Sequence, residues 1–313
     1  MKKLKIIELF GGIGSIRKAL INLEIPYQVI DYVEIDKNCV KSYNSLYKEN
    51  YKEKSVIDYK LPKEKIDILM HGSPCQDFSQ AGKKLGGKKG SGTRSSLLFE
   101  TIKIIQQAKY KPKIVIWENV KAVLHKHNKT TLDDYLNEME KLGYKNKYKV
   151  LNALDFGVAQ KRERLFVISI LNNNLFNFNN LETKKREHIK NYLETNAHTR
   201  YIVTQKSFLE QLQGKRKNTR VRIIKDTANT ITTKQMRLPN AGLIKLENGK
   251  YRYLTELECT RLMGFSDEDY NTLIKTHKRK KENFHSGIIY KQLGNSVVVV
   301  VLESIIKEIT KEK

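Results

Sequence analysis

A cysteine and a glutamate each stand where an apolar run ends, and together they could carry covalent chemistry on a heteroaromatic ring. The hexapeptide Gly72-Ser73-Pro74-Cys75-Gln76-Asp77 follows Ile66-Asp67-Ile68-Leu69-Met70. Glu118-Asn119-Val120 follows Ile114-Val115-Ile116-Trp117. Short apolar runs of this kind read as buried strands. In an open α/β sheet, ligands and reacting groups gather at the carboxyl ends of the strands. A thiol nucleophile and a proton donor at two such ends suit a ring that needs both. Most cysteines are inert packing residues, but Cys75 sits between Pro74 and polar Gln76 at a strand end. Cys39 and Cys259 lie in helix-like segments and read as packing residues.

The elements that must hold these groups follow an alternating pattern. Strands are expected at residues 4–10, 27–34, 66–70, 114–117, 148–151 and 165–170, and helices at 15–23, 37–47, 95–109 and 132–142. Several strands are near-continuous apolar runs, as in parallel sheets covered on both faces. The alternation predicts a doubly wound, mostly parallel α/β sheet. The pattern changes after Ile170. Leu171-Asn172-Asn173-Asn174 reads as a linker, and residues 182–252 carry 17 Lys or Arg against 6 Asp or Glu. This stretch predicts a smaller, irregular, β-rich second domain. An apolar pattern returns at 297–309 and predicts a helix packing back on the first domain. The expected division is 1–170 with 286–313, and 171–285 between them.

The chain has 313 residues and a net charge of +25, from 59 Lys and Arg against 34 Asp and Glu. A surplus of that size fits a polyanion partner, most simply nucleic acid. A Lys-rich composition could supply the same charge without that use. Three cysteines without paired spacing argue against a disulfide framework and a zinc site. No secretory leader pattern and no apolar segment of spanning length is read. These features predict a cytoplasmic protein that uses no membrane and holds no metal.

The first strand runs into Phe10-Gly11-Gly12-Ile13-Gly14-Ser15, where glycines allow a sharp turn and close approach to a ligand. Gly12 and Gly14 fit a dinucleotide fingerprint, but Arg17 occupies the third glycine position. That disfavours a nicotinamide oxidoreductase. Glu34, about twenty residues on, stands where an acid holds ribose hydroxyls. Asp58 could accept from an adenine amino group. A nucleoside without a pyrophosphate suits such a site, and S-adenosylmethionine is one. A tight turn with no ligand is the plainer reading.

With these residues together, the chain resembles the DNA cytosine-5 methyltransferases. Phe10-Gly11-Gly12-Ile13-Gly14 is similar to the family's first cofactor motif, and Ser73-Pro74-Cys75-Gln76 to its nucleophile motif. Glu118-Asn119-Val120 and Gln160-Lys161-Arg162-Glu163-Arg164 resemble two further catalytic motifs. Arg252-Tyr253-Leu254-Thr255, with Glu258 and Arg261-Leu262-Met263-Gly264-Phe265, resembles the segment after the variable region. Gln292-Leu293-Gly294-Asn295-Ser296-Val297 resembles the C-terminal motif that folds back onto the cofactor. Six matches in family order cover nearly the whole chain. Ser15 replaces a common Gly, and Ile35 a common aromatic that stacks on adenine.

The resemblance implies methyl transfer from S-adenosylmethionine to cytosine C5 in a short duplex DNA sequence. It implies Cys75 as the thiolate that adds to C6, Glu118 as a protonated partner of N3 and the exocyclic amine, and Arg162 and Arg164 as charges that grip the base. It implies a cofactor site of Phe10, Gly12, Ile13, Gly14, Glu34, Ile35, Asp58, Gly72, Pro74, Leu97, Asn295 and Ser296. The target base must be flipped out of the helix. The Gly- and Lys-rich stretch 83–94 is expected to close over DNA through Lys83, Lys84, Lys88, Lys89 and Arg94, with Gln76 and Ser79 near the base pocket. Arg220, Arg222, Thr230, Lys234 and Arg237 of the target-recognition region are further expected DNA contacts, most of them to phosphates. A monomer is expected, with functional pairing to a restriction endonuclease. Two alternatives are a tRNA cytosine-5 methyltransferase and a catalytically silent DNA-binding regulator.

Overall fold

The computed structural model describes residues 3–73, 97–126, 128–172, 176–215, 220–279 and 285–311. The chain begins β1 (Leu4–Leu9), α1 (Ser15–Asn22), β2 (Tyr27–Val33), α2 (Lys37–Tyr47) and β3 (Ile68–His71). It continues α3 (Leu97–Gln106), β4 (Ile114–Val120), α4 (Lys129–Lys141), β5 (Tyr144–Asn152), β6 (Gln160–Lys161) and β7 (Glu163–Leu171). A six-stranded sheet has the order β2-β1-β3-β4-β7-β5. The pairs β1–β2, β1–β3 and β3–β4 are parallel, and β7 runs antiparallel to both β4 and β5. This is the mostly parallel α/β sheet expected from the sequence.

The central strands are apolar throughout because both of their faces are covered. Ile6, Ile68, Met70 and Ile116 face one core, while Ile7, Leu9, Leu69, Val115 and Trp117 face the other. Successive strand side chains point to opposite faces, so an uninterrupted apolar run feeds both layers. α3 and α4 supply Leu98, Ile102, Leu132 and Tyr135 to the second core. α1 and the last helix, α9 (Val299–Thr310), cover the first and touch each other. The expected C-terminal return is therefore present.

Several element ends differ from expectation: β4 runs three residues further, to Val120, α4 starts three residues earlier, at Lys129, and α3 ends at Gln106 rather than 109. β5 starts at Tyr144, four residues before the expected start. Lys145, Lys147 and Lys149 interrupt its apolar pattern, which suits an edge strand, where charge discourages pairing with other chains. α3 is described from Leu97 onward; the expected start at 95 lies outside the described residues.

The region after β7 is irregular, as expected, but its described residues hold more helix than strand and are not β-rich. It holds 3₁₀ turns, α5 (Lys206–Leu212), β8 (Ala228–Asn229), β9 (Leu243–Lys245) and β10 (Tyr251–Tyr253). Val203, Phe208, Val221, Leu243 and Tyr253 form a small core of its own. α6 (Glu256–Leu262) and α7 (Asp267–Thr276) follow, then α8 (Gly287–Asn295). α7 lies against α2, and His277, just after it, brings Nε2 to 2.8 Å from Ser42 Oγ of α2; Lys18 of α1 pairs with Asp269 at 2.6 Å. Leu254, Leu262, Met263 and Leu273 belong to the same core as Ile6 and Ile116. Among the described residues, no helix is long and apolar enough to cross a membrane.

Candidate active site

β1 delivers the glycine turn, and the structure explains its glycines. Phe10, Gly12 and Gly14 have φ of 54°, 56° and 78°, the left-handed region that glycine tolerates best. A Cβ on Gly14 would lie 2.6 Å from the Tyr47 ring, and one on Gly11 2.6 Å from the Tyr32 ring. The turn therefore rests on a floor of tyrosines. The Tyr32 hydroxyl donates to the Gly12 carbonyl at 2.7 Å. The Tyr47 hydroxyl lies 3.1 Å from the Ile13 carbonyl and 2.9 Å from that of Gly14. The Tyr32 and Tyr43 rings stack with centroids 3.8 Å apart.

Below this floor sits Glu8, buried and accepting from the Tyr43 hydroxyl at 2.6 Å. Burial pushes its carboxyl up from 4.5 to about 7, against the Tyr43 hydrogen bond and the Arg17 charge. Arg17, the residue that spoils the dinucleotide fingerprint, donates to Tyr27, Tyr43 and Glu49. It braces the floor in place of a third glycine.

Glu34 follows β2 and closes the turn from above. Its Oε2 accepts from the Gly12 N–H at 3.1 Å, and its Oε1 from the N–H groups of Ile35 and Asp36 at 2.8 Å each. Ile35 is 71% exposed and Ile57 57% exposed, an uncommon state for side chains of this size. The Lys54 N–H bonds the Glu34 carbonyl at 2.8 Å, which brings the 54–58 segment to the same end. Asp58 is exposed, has φ 61° and lies 3.9 Å from Lys103 of α3. A Cβ on Gly12 would meet nothing within 4 Å. An open turn, a carboxylate and two exposed apolar side chains fit a nucleoside with a ribose diol. Ile57 was missed from the sequence because it reads there as part of an apolar dipeptide with Val56.

The C-terminal motif lies beside this end. Lys291 Nζ pairs with Asp36 at 2.5 Å, and the Gln292 side-chain amide donates to the Asn38 carbonyl at 2.9 Å. Asn295 is exposed at the end of α8, and Ser296 is buried. Leu97 opens α3.

The catalytic end is built on β3, β4 and β7. Glu118 of β4 stands opposite Phe166 of β7, and Val120 opposite Arg164. Glu118 and Arg164 are thus diagonal neighbours on one sheet face. Arg164 Nε lies 3.2 Å from Glu118 Oε1. Glu118 is buried, and burial raises its pKa against the charges of Arg164 and then Arg162. A Cβ on Gly72 would stand 3.8 Å from Glu118 Oε2. The carboxyl group therefore faces the chain as it leaves β3, three residues before Cys75. Pro74, Cys75, Gln76, Ser79, Lys83, Lys84, Lys88, Lys89 and Arg94 lie outside the described residues.

Arg162, expected to grip the base, bonds to backbone carbonyls. It is buried, and its Nη1 donates to the Ile231 carbonyl at 2.9 Å. Its Nη2 reaches the carbonyls of Gly294 at 3.0 Å and Ser296 at 2.6 Å. These charge-assisted bonds to three carbonyls join the segments around Ile231 and Gly294–Ser296. Gln160 adds to the joint, accepting from Ile231 N–H at 3.0 Å and donating to the Leu262 carbonyl at 3.0 Å. Gly294 approaches Thr232 so closely that a Cβ would lie 2.4 Å from its carbonyl carbon.

In the second region Arg220, Arg222, Lys234 and Arg237 are all exposed. The Thr230 hydroxyl donates to the Lys161 carbonyl at 2.8 Å. Its one proton is thus occupied, leaving lone pairs rather than a donor for any phosphate. The stretch 232–240 is a compact loop. Gln235 Nε2 donates to the Thr232 carbonyl, and Asn240 Nδ2 to that of Gln235, each at 2.8 Å.

An open glycine turn after β1 and a buried acid on β4, two strands of one parallel set with β3 between them, suit an α/β group-transfer enzyme. Residues 4–311 match the family profile described as C-5 cytosine-specific DNA methylase, and the chain belongs to that family. The family's enzymes are DNA (cytosine-5)-methyltransferases and use S-adenosylmethionine. Type II methyltransferase M2.ScrFI of Lactococcus lactis subsp. cremoris is 31% identical, covering 99% of this chain and all of that protein. Type II methyltransferase M.HhaI of Haemophilus parahaemolyticus is 32% identical over 96% of this chain and 93% of its own. The fold is also that of the S. pombe Dnmt2 methyltransferase, with a TM-score of 0.76, 18% identity and 97% of each chain covered.

Proposed function

We propose that this enzyme methylates C5 of a cytosine within a specific short duplex DNA sequence, by attack of Cys75 on C6 of a flipped-out base. The observation that carries this is the buried Glu118 carboxyl, held by Arg164 at 3.2 Å and facing the chain that leads into Cys75. Cytosine C5 is a weak nucleophile. When the Cys75 thiolate bonds to C6, the ring electrons move toward N3, and C5 becomes nucleophilic. A carboxyl whose pKa is raised by burial keeps a proton to give to N3. Arg164 orients that carboxyl and adds charge for the base. Bound S-adenosylmethionine supplies the methyl group. Removal of the C5 proton then lets the C6–S bond break and frees Cys75.

Glu34 is positioned for the ribose diol, and Ile35 with Ile57 for the two faces of an adenine. Phe10, Ile13, Asp58, Leu97, Asn295 and Ser296 complete the proposed site. The recognition domain is residues 171–285, and the catalytic domain 1–170 with 286–313. Arg220, Arg222, Lys234 and Arg237 offer exposed cations to phosphates, and the relatives' type II names support pairing with a restriction endonuclease.

The test is transfer of labelled methyl from S-adenosylmethionine to duplex DNA, wild type beside Cys75→Ser, with bisulfite mapping. Label at C5 in one recurring sequence, lost in the variant, is the expected result. Transfer to tRNA at an equal rate, or no transfer by a folded protein that binds the cofactor, would overturn the duplex DNA reading.

A further inference from the structure

The ladder between β3 and β4 ends at the pair His71–Trp117. Gly72 and Ser73 follow it. Ser73 is only 4% exposed. Its Oγ accepts from the Trp117 indole N–H at 3.2 Å and from the Asn119 side-chain amide at 3.4 Å. One hydroxyl thus receives two donors from the neighbouring strand.

Strand alternation makes this contact directional. Trp117 and Asn119 lie on one face of β4, and Glu118 on the other. Ser73 follows the first face. Gly72 follows the second, where it meets the Glu118 carboxyl. The Ser73 contact therefore carries the β3–β4 pairing two residues past its last ladder bond. A half-turn of the chain at this point would swap the faces of residues 72 and 73 relative to Glu118.

The donors are themselves fixed. Trp117 is fully buried and packs on Tyr135 with ring centroids 4.5 Å apart. Asn119 Oδ1 accepts from the Val120 N–H at 2.8 Å, which sets the orientation of its amide. Both are buried donors that would be costly to leave unpaired.

We propose that Ser73 is a positioning residue for the methyl-transfer reaction, aligning the Cys75 arm with Glu118 through Trp117 and Asn119. The proposal rests on the reading of Cys75 and Glu118 as nucleophile and acid. It differs from a packing role because the hydroxyl acts through donors on the strand that carries the acid.

The experiment uses duplex DNA containing 5-fluorocytosine at the mapped target. On this base the C6–S bond forms and the methyl group transfers, but the C–F bond at C5 cannot release its fluorine as a proton would leave. The covalent adduct therefore accumulates, and its rate reports attack by the thiolate. Ser73→Ala and Trp117→Phe should each slow trapping and turnover by about tenfold or more, the scale of a small misplacement of reacting groups. KM for DNA and for the cofactor should stay within about twofold. Because both variants break the Trp117–Ser73 bond, the double variant should be no slower than the worse single one. Ser73→Thr, which keeps the hydroxyl, should recover most of the rate. Wild-type trapping with unimpaired Ser73→Ala overturns the inference alone. Effects that multiply in the double variant, or that appear only in KM or thermal stability, overturn it too. Failure of wild type to trap the base would instead remove the reading of Cys75.

Discussion

At the β1–β2 side of the sheet, the turn 10–14 rests on a floor of neutral groups, tyrosine hydroxyls on carbonyls and rings beneath glycines, and is closed by the Glu34 carboxylate on the Gly12 N–H. At the β4–β7 side, Glu118 is held by burial and by the Arg164 charge. The tyrosine bonds of that floor do not titrate near neutrality. The Glu118 arrangement depends on one proton. Damage to the two sides should separate cleanly, in binding on one side and in turnover on the other.

Glu118→Gln should strain that separation most. The amide keeps the volume of the side chain but cannot pass a proton to N3, so turnover should fall by about 10²- to 10⁴-fold. Cofactor affinity, read by calorimetry, should not change. In wild type the active form is protonated, so turnover should decline as pH rises through the Glu118 pKa. Arg164 lowers that pKa, so Arg164→Met should move the declining limb to higher pH while reducing the maximum. A limb that stays in place would mean that another group titrates.

Arg162 tests whether the joint between the regions is structural. Arg162→Met would strip three carbonyls, of Ile231, Gly294 and Ser296, of their charged donor. A loss of about 3 kcal/mol in unfolding free energy is expected, with faster amide exchange in 228–233. An unchanged melting curve with lost base binding would return Arg162 to the base.

How far the sequence foretold these features follows from their range. Apolar runs place β1, β3, β4 and β7, because a strand covered on both faces leaves a local signature. The motif around Glu118 and Arg164 is legible, since the two sit on neighbouring strands at fixed offsets from their motifs. The tyrosine floor is not, because Tyr32, Tyr43 and Tyr47 carry no pattern that says a hydroxyl will meet a glycine carbonyl. The Arg162 joint spans more than 130 residues to Ser296 and depends on packing that periodicity does not encode. Helices α6 and α7 show the same limit. They fall in the stretch read as a separate second domain, and nothing in its pattern says that Leu262 and Leu273 would join the core of Ile6 and Ile116.

Glu8 is the one titrating group beneath the neutral floor, and it sharpens the contrast between the sides. The folded protein holds its carboxyl proton up to about 7, whereas the unfolded chain releases it near 4.5. Between those values the folded state binds the extra proton, so stability falls as pH rises from about 4.5 to about 7. The fall is at most about 3 kcal/mol at 1.36 kcal/mol per pKa unit. Glu8→Gln keeps an oxygen to accept from Tyr43 and removes the titration. Urea midpoints at pH 5 and pH 8 should then converge in the variant and differ in wild type. Parallel pH dependence in the two proteins would show that Glu8 is not the source.

The smallest effect is expected from Tyr47→Phe, and it isolates the hydroxyl from the floor. The ring would still fill the space under Gly14. The Gly14 carbonyl would keep its helix bond from the Lys18 N–H at 2.9 Å, whereas the Ile13 carbonyl would lose the Tyr47 donor at 3.1 Å. One neutral hydrogen bond contributes about 1 kcal/mol, so cofactor dissociation should quicken and Kd should rise about fivefold. Turnover at saturating cofactor should hold, because nothing on the β4–β7 side has moved. The Kd change should be the same at pH 6 and pH 8, since burial holds the Tyr47 hydroxyl well above the ordinary tyrosine pKa. A pH-dependent change would tie the turn to Glu8 and merge the two kinds of support that the structure keeps apart.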